Sequence, residues 1–396
     1  MKKRFIRLKE LGVNMKTIYT PNQEYLERCP KLESGRSYLV QTDNEGNQLT
    51  SINNQSADKI FLIGASTIES VYLDESKRPH SLLEIELLSK GIDCSVKNLG
   101  VSGTHTLNII NLIVSKLGLY SNSTVVITIP SNELSTLAFD NSYWNNSKHF
   151  STIIDPNVIE KEPQKFDLRN IDFFIRNLLV IKEICNLFKL KLFFTTVLFW
   201  KDIAAGKELN VRLRQICQEY NINLIDLEAD FLNQSDYFYD GLHFLESGSR
   251  KFASLVGNTL AQGFKSKETS LLKKVALYAE KKKIDDSFNE RLVLDIKNAK
   301  KIILTVDYEK TPSASKEILI SLFLDSKGKI NNSAYYKSIS EKVGWYTYIP
   351  SYESEKLEVS YEIPLPEHSN TIAISLLRWK EGGVVEINKA DIYLVY

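Results

Sequence analysis

The stretch KIFLIGAST, residues 59–67, decides the fold of the central part of the chain. Its apolar run from Ile60 to Ile63 ends at Gly64, which is typical of a strand buried on both faces of a parallel sheet. Ser66 follows at the turn from this strand into a helical segment. A serine at such a turn exposes its hydroxyl at the carboxyl edge of the sheet, where a helix N-terminus favours developing negative charge. The same position also suits a serine that only caps the helix.

Strand-like and helix-like segments alternate downstream of this stretch. Further strands are predicted at 94–99, 124–129, 190–197 and 222–227, and helices at 78–91, 105–118, 168–188, 207–220 and 246–264. Because parallel strands need crossover connections, this alternation predicts an α/β fold, a parallel sheet with helices on both faces. Ligands of such sheets bind at the carboxyl ends of the strands.

Three more segments with chemically useful side chains fall at those carboxyl ends. Gly103 closes the turn after the second strand, where a glycine leaves a backbone N–H exposed to a ligand. Asn132 follows the third strand, and its amide group can bind an oxyanion or simply form a turn. Asp240 lies three residues before His243 in a loop, which lets a carboxylate hold one ring nitrogen while the other faces a nucleophile. Each segment alone is compatible with a purely structural role.

Taken together, Ser66, Gly103, Asn132 and the pair Asp240 and His243 resemble, in their order, the motifs of the SGNH (GDSL-like) hydrolase family. The resemblance covers about residues 58–265 and includes the run LESGSRKFA after His243. It implies a three-layer flavodoxin-like fold and an acyl-transfer reaction through a covalent acyl-serine.

The resemblance also assigns roles. Ser66 becomes the nucleophile, His243 its general base and Asp240 the group that orients the histidine. The backbone N–H groups of Ser66 and Gly103 and the side chain of Asn132 form the oxyanion hole. No metal and no cofactor is needed for this chemistry.

Two positions depart from the family pattern. Ala65 stands where the family has an acidic residue before the nucleophile, and the third segment reads Pro130-Ser131-Asn132-Glu133 instead of Gly-x-Asn-Asp. Neither change removes a residue with a direct catalytic role. Both leave the loop geometry and the substrate preference open.

The substrate contacts are less clearly marked. His105 is two residues after Gly103 and is expected to line the substrate pocket, although it equally suits the start of a helix. The loop 131–167 is longer than a passive connection. It carries Tyr143, Trp144 and His149, and it is either a substrate wall, with Trp144 contacting the substrate, or a surface insertion. His80 and His368 have no evident partner and are expected at the surface or in packing.

The pattern changes to a period of two after residue 298. Strands are predicted at 301–308, 317–325, 344–349, 356–363, 371–379 and 384–396, with a hairpin turn at 325–328. So many short strands predict an all-β sandwich or jelly roll. Such a domain beside the first one resembles a carbohydrate-binding module. The aromatic residues Trp345, Tyr346, Tyr348 and Trp379 either stack on sugar rings or fill the sandwich core.

These features divide the chain into four parts. Residues 1–57 are an N-terminal extension that packs on the main domain, with an extended strand and turn over 38–46. Residues 58–267 form the hydrolase-like catalytic domain. Residues 268–298 are a charged helical linker, because LLKKVALYAEKKK reads as an exposed helix. Residues 299–396 form the β-sandwich.

Composition excludes several classes of protein. The 50 Lys and Arg residues nearly balance the 49 Asp and Glu residues, and the net charge of +1 argues against a nucleic-acid partner. Charged residues interrupt the most apolar stretch, 171–200, so we expect no membrane span. The N-terminal residues lack the apolar run of an export signal. The cysteines are scattered and are expected to be buried thiols, Cys185 and Cys217 above all. A cytoplasmic location is therefore expected.

Three functions remain compatible with the sequence. The first is an esterase that removes acetyl groups from a sugar or polysaccharide. The second is a carbohydrate O-acetyltransferase that uses the same acyl-serine, with a sugar hydroxyl replacing water. The third is an inactive carbohydrate-binding protein on the same fold. The first two require an acylated small molecule or glycan as substrate and share every catalytic residue. The oligomeric state is not indicated.

Overall fold

The structure is a computed structural model. It describes residues 5–6, 8–151, 153–154, 161, 163, 165–264, 270–284, 290–310, 318–325, 328–338, 343–349, 352, 354–378 and 385–396. Among these residues, every helix is too short or too polar to cross a lipid bilayer.

The chain up to residue 264 combines strands and helices. The strands are β1 (Phe5–Ile6), β2 (Lys16–Tyr19), β3 (Tyr38–Gln41), β4 (Lys59–Ile63), β5 (Ser95–Asn98), β6 (Thr124–Thr128), β7 (Ile153–Ile154), β8 (Lys191–Thr195) and β9 (Asn223–Ile225). The α-helices are α1 (Gln23–Arg28), α2 (Ser66–Glu69), α3 (Pro79–Ser89), α4 (Thr106–Ser115), α5 (Asn132–Ala138), α6 (Ile171–Leu187), α7 (Ala204–Glu219), α8 (Glu228–Phe231) and α9 (Glu246–Ala261). Short 3₁₀ helices lie at Glu75–Lys77, Leu117–Leu119, Ser142–Trp144 and Ser235–Tyr237.

The central sheet is parallel and has the strand order β5-β4-β6-β8-β9. In chain order this is 2-1-3-4-5, the flavodoxin-like arrangement. The predicted fold class of this part is thereby confirmed. From β4 the chain first adds β5 on one side and then crosses over to add β6 on the other side. The carboxyl ends of these three strands therefore lie next to one another.

The alternation along β4 explains why helices cover both faces of the sheet. Ile60 and Leu62 pack into one apolar cluster with α3 and α9. Phe61 and Ile63 point to the opposite face and pack into a second cluster with α4, α6 and α7. A strand buried on both sides must be apolar at every position, which is the pattern that the sequence shows.

The N-terminal segment packs on the edge of this sheet. Strands β2 and β3 form an antiparallel pair, and the turn that follows has Gly46 at a φ of +76°. Beyond the turn, the backbone of Gln48 pairs with Asn98 at the end of the edge strand β5. The residues before α2 therefore form part of the same folded unit.

The rest of the chain is all-β. Its strands are β10 (Leu272–Tyr278), β11 (Lys282–Ile284), β12 (Leu292–Asp295), β13 (Lys301–Lys310), β14 (Ile318–Leu324), β15 (Tyr336–Lys337), β16 (Trp345–Tyr348), β17 (Lys356–Ile363), β18 (Thr371–Arg378) and β19 (Val385–Val395). One antiparallel sheet has the order β10-β19-β13-β17, with β11 also paired to β19, and the other has the order β12-β18-β14-β16-β15. Alternate residues of both sheets fill one shared core, so the predicted sandwich is confirmed.

The predicted helical linker is wrong. The stretch that reads as an exposed helix is the strand β10, which pairs with β19 over its length, and the next segments are β11 and β12. The lysines that suggested a solvated helix lie on an edge strand, a position where exposed charges are common. Pairing with β19 therefore outweighs the helical preference of this segment.

The sandwich is docked on the α/β part through one face of the sheet that contains β13. Ile303 and Tyr393 pack with Leu88 in a small apolar cluster. Beside this cluster, the Arg36 Nη2 atom lies 2.7 Å from Asp74 Oδ2 and 3.0 Å from Asp307 Oδ2, so one buried guanidinium joins the two parts. Leu88 and Arg36 of the α/β part therefore contact this face of the sandwich.

The predicted sugar-stacking aromatic residues lie on different faces of the second sheet. Trp345 packs against the sandwich core. Tyr346 and Tyr348 alternate with it and therefore point to the outer face. Tyr336 of β15 is directly opposite Tyr346 and is 57% exposed. Trp379 lies outside the described residues, as do 326–327 of the predicted hairpin turn.

Candidate active site

Ser66 is the first residue of α2 and is separated from β4 by Gly64 and Ala65. Its neighbour Ala65 occupies the N-cap position, with a φ of −105° and a ψ of −148°. The Ser66 Oγ atom lies 2.7 Å from His243 Nε2. The serine hydroxyl therefore contacts the histidine, and the alternative of a helix-capping serine is wrong.

The loop after β9 brings His243 and Asp240 to the same edge of the sheet. His243 Nδ1 lies 2.5 Å from Asp240 Oδ2. The other carboxylate oxygen accepts hydrogen bonds from the backbone N–H groups of Leu242 and His243, each at 2.8 Å. Because Nδ1–H donates to the carboxylate, the neutral ring presents the lone pair of Nε2 to the hydroxyl of Ser66.

The Asp240 carboxylate is held in its ionised form. Partial burial acts to raise its pKa, but the hydrogen bonds from the His243 ring and from the backbone N–H groups outweigh this effect, so the pKa of Asp240 lies below its ordinary value. An ionised carboxylate can stabilise the positive charge that His243 acquires when it takes a proton.

Short contacts fix the loop that carries both groups. The backbone of Phe238 pairs with Phe244, and Tyr239 N–H donates to His243 O at 3.0 Å. The ring of Tyr239 stacks on the His243 imidazole with centroids 5.4 Å apart. Both ends of the loop and one face of the imidazole are thereby held by neighbouring residues.

Gly103 lies in the turn after β5. Thr104 N–H donates to Val101 O at 3.2 Å, which closes a β-turn with Gly103 at its third position. Gly103 has a φ of +75°, the left-handed value that a type II turn needs there and that favours glycine. The Asn132 side chain lies beside the same turn, with Nδ2 2.9 Å from Thr104 O. This bond uses one of the two amide hydrogens of Asn132.

Glu69, in the same short helix as Ser66, ties that helix to the turn. Its Oε2 atom accepts a hydrogen bond from Ser102 N–H at 2.8 Å and another from the Ser102 hydroxyl. Burial raises the pKa of Glu69 above its ordinary value, and the two bonds from Ser102 act in the opposite direction. The sequence analysis did not single out Glu69, although an acidic side chain three residues after Ser66 was a visible signal.

Glu133 makes a similar link behind Asn132. It accepts hydrogen bonds from Thr106 N–H at 2.5 Å and from the hydroxyl of Tyr143. Burial raises the pKa of Glu133 to about 7. The residue that departs from the family's Asn-Asp pair is thus a buried connector between α5, the start of α4 and the following loop.

His105 does not line a substrate pocket. It is fully buried, its Nε2 atom lies 2.9 Å from Phe150 O, and its ring packs edge-on against Tyr143. Burial lowers the pKa of His105 to about 3, so the ring stays neutral. The prediction that this residue contacts the substrate is therefore corrected, because no surface of the ring faces solvent.

The described part of the loop 131–167 packs beside the Gly103 turn, and its role as a substrate wall stays a prediction. Tyr143 is buried against Glu133, so it has no contact with solvent that a substrate could replace. Trp144 is 57% exposed, and its predicted contact with the substrate stays a prediction. The backbone carbonyl of His149 lies against Gly103, within 2.9 Å of the position that a Cβ atom would take. The loop therefore borders the Gly103 turn.

His80 is a buried residue with partners on both ring nitrogens, which the sequence did not reveal. Its Nε2 atom lies 2.9 Å from Leu49 O and its Nδ1 atom 2.9 Å from Asn98 Nδ2. Asn98 in turn donates to Ile68 O at 2.9 Å and accepts from Gly100 N–H at 2.7 Å. This network joins the Ser66 helix to the Gly103 turn. His368 is exposed, as expected.

Among the described residues, one group of carboxylates is close enough to hold a metal ion. Asp74, Asp307 and Glu358 lie within 4.8 Å of one another. Arg36 and Lys77 already pair with these carboxylates, with Lys77 Nζ 2.7 Å from Asp74 Oδ2. The four cysteines are buried free thiols, which confirms that prediction for Cys185 and Cys217.

Solved structures with a similar fold cover about half of the chain. They include the acetyl xylan esterase AlAXEase, at 14% identity and a TM-score of 0.40, covering 51% of this chain and 99% of that one. A lipase/acylhydrolase from Enterococcus faecalis has 21% identity and a TM-score of 0.40, covering 54% and 100%. A GDSL-like lipase from Bacteroides thetaiotaomicron has 14% identity and a TM-score of 0.36, covering 52% and 90%.

No family model matches the sequence, and no curated protein matches it either. One fold can host many activities, so the function of this chain has to be argued from the side chains of its site.

Proposed function

We propose that the protein is a serine esterase that works through an acyl-Ser66 intermediate. The observation that carries the proposal is the continuous hydrogen-bond chain from Ser66 Oγ through His243 to Asp240, with distances of 2.7 and 2.5 Å. The three groups have the mutual geometry that nucleophilic acyl transfer requires. The same geometry speaks against an inactive binding protein, for which Ser66 and His243 would be misplaced.

The mechanism follows from these contacts. Ser66 Oγ attacks the ester carbonyl carbon while His243 Nε2 takes its proton, and Asp240 stabilises the imidazolium. The carbonyl oxygen becomes an oxyanion, which the N–H groups of Ser66 and Gly103 and the Asn132 amide stabilise. His243 then protonates the leaving alcohol. A water molecule, deprotonated by His243, releases the acid from Ser66.

We further propose that the acyl group is small, with acetyl as the first candidate. Ala65 and Thr67, the neighbours of Ser66, line a recess of about 10 Å³ together with Thr128, Ile129, Pro130, Ser131, Val197 and Leu198. A recess of this size holds about one water molecule or a methyl group. Pro130 contributes to its wall, so the departure from the family's glycine is compatible with a narrow acyl site.

For the alcohol part we propose a sugar or polysaccharide, of which units remote from the ester bind at the outer face of the sandwich. Tyr336, Tyr346 and Tyr348 form a row on that face, with successive ring centroids 5.7 Å apart. Aromatic faces with a hydroxyl at one end suit a ligand with both apolar and polar surfaces. Loss of glycan retention on affinity gels in Tyr336→Ala, with ester hydrolysis unchanged, would support this part.

The test of the activity is hydrolysis of 4-nitrophenyl acetate and of acetylated sugars by the wild type and by Ser66→Ala. We expect the wild type to release acetate and the variant to lose this activity with an unchanged melting temperature. Acetylation of an added unacetylated glycan by the wild type would move the assignment to an O-acetyltransferase. Equal rates in wild type and variant would contradict the proposed nucleophile.

A further inference from the structure

The peptide group between Ser102 and Gly103 carries the N–H that the proposed mechanism uses in the oxyanion hole. It is the central peptide of the turn that Thr104 N–H closes on Val101 O. Types I and II of such a turn differ by a rotation of this one peptide through about 180°. The rotation changes the direction of the Gly103 N–H while leaving the ends of the turn in place.

Lys9 holds this peptide from the other side of the turn. Its Nζ atom lies 2.9 Å from the carbonyl oxygen of Ser102. In a planar trans peptide the C=O and the following N–H point in opposite directions. A bond that fixes the Ser102 carbonyl toward Lys9 therefore also aims the Gly103 N–H away from Lys9.

The surroundings of Gly103 make this contact close and specific. A Cβ atom at Gly103 would lie 2.7 Å from Lys9 Nζ and 2.9 Å from His149 O, so the lysine packs directly on the glycine. On the preceding residue, Glu69 binds the N–H and the hydroxyl of Ser102. Ser102 is thus held through its N–H by the Ser66 helix and through its carbonyl by the N-terminal segment.

Two chain segments outside the central sheet bring Lys9 to this place. The short strand β1 precedes it and pairs with β7 in the loop 131–167. Lys9 itself follows at the border of the turn. The N-terminal segment and the long loop therefore meet where the proposed oxyanion donor is located.

We propose that Lys9 is a positioning residue for ester hydrolysis, which fixes the 102–103 peptide in the orientation that aims the Gly103 N–H at the oxyanion. This inference rests on the proposed function. Without the lysine, the peptide also populates the rotated orientation, in which the carbonyl oxygen of Ser102 replaces the N–H donor. Transition-state stabilisation then falls, whereas substrate binding is largely kept.

The test compares wild type, Lys9→Met, Lys9→Arg and the matched control Lys16→Met. Lys16 belongs to the same N-terminal segment but lies over the ring of Tyr352, 4.7 Å from its centroid. With 4-nitrophenyl acetate, we expect kcat of Lys9→Met to fall about tenfold with little change in KM, since charged hydrogen bonds of this kind are worth about that factor. Lys9→Arg should recover most of the loss, and Lys16→Met should match the wild type.

Crystal structures of the wild type and Lys9→Met provide a readout that is independent of activity. We expect the Ser102 carbonyl of the variant to be rotated or present in two orientations. An unmoved peptide would overturn the positioning role, whether or not kcat changes. A wild-type enzyme that hydrolyses no ester would contradict the proposed function instead, and the peptide orientation would still decide the role of Lys9.

Discussion

The ring of Tyr239 stacks almost parallel on the imidazole of His243, with an angle of 10° between the planes and 5.4 Å between the centroids. Tyr239 is buried, and its hydroxyl lies 3.4 Å from that of Tyr25 in α1. The stacking restricts the rotation of the imidazole about its side-chain bonds. The N-terminal helix thus supports the orientation of the proposed general base.

This contact predicts different effects for two substitutions of Tyr239. Tyr239→Ala removes the stacked ring, and we expect kcat for ester hydrolysis to fall by at least about tenfold, because small misplacements of a catalytic group cost up to about 100-fold. Tyr239→Phe keeps the ring and should retain most of the activity. Steady-state kinetics of both variants, with Tyr25→Phe as the control, checks this. Full activity in Tyr239→Ala would contradict the role of the stacking.

The buried ion pairs of Arg36 predict a large loss of stability in Arg36→Met. The substitution leaves the buried Asp74 without one of its cationic partners, and breaking such a pair costs about 3–5 kcal/mol. Lys77 still binds Asp74, which places the expected loss toward the lower end. Urea unfolding measures it. The matched control is Arg28→Met, whose ion pair with Glu24 is exposed at 3.9 Å and should contribute little.

Glu84 predicts a pH-dependent stability with a definite sign. Burial raises the pKa of Glu84 to about 7 from an ordinary value of 4.5. The folded state then holds the proton more tightly than the unfolded state, so the contribution of Glu84 to stability is fully present below pH 4.5. This contribution is lost as the pH rises from 4.5 through about 7, and the free energy of unfolding falls by roughly 3 kcal/mol.

Glu84→Gln isolates this effect, because glutamine does not ionise. The unfolding free energy of the wild type should therefore fall steadily relative to that of Glu84→Gln between pH 4.5 and pH 7. Glu86→Gln is the control, since the Glu86 carboxylate pairs with Lys90 at the surface of the same helix, at 3.0 Å. A difference that stays constant over this range would show that Glu84 is not a buried acid with a raised pKa.

The central sheet could be predicted from the apolar pattern of its strands, whereas the roles of Ser66, Asp240 and His243 were implied by the resemblance of their order to the SGNH pattern. Buried parallel strands are apolar throughout, and their carboxyl ends meet at one edge, so polar residues placed just after several strands converge there. Their spatial grouping followed from the order of the elements.

The supporting residues could not be predicted in the same way. Lys9, Glu69 and His80 are positioned by contacts between segments that are distant along the chain, and no local period marks such contacts. The prediction that His105 contacts the substrate was wrong because its closeness to Gly103 in sequence does not specify whether its ring points inward or outward. The strand β10 was misread since its lysines fit an exposed helix and an edge strand equally well.

The most direct test of the central claim, that His243 and Asp240 activate Ser66 as a nucleophile, is covalent labelling with diethyl 4-nitrophenyl phosphate. Intact-mass measurement and peptide mapping identify the labelled residue. We predict a single phosphoryl group, attached to Ser66, and labelling slowed by about 1,000- to 10,000-fold in Asp240→Asn, which disturbs the histidine tautomer. Labelling of Ser66→Ala at the wild-type rate, or a label on another residue, would contradict the account.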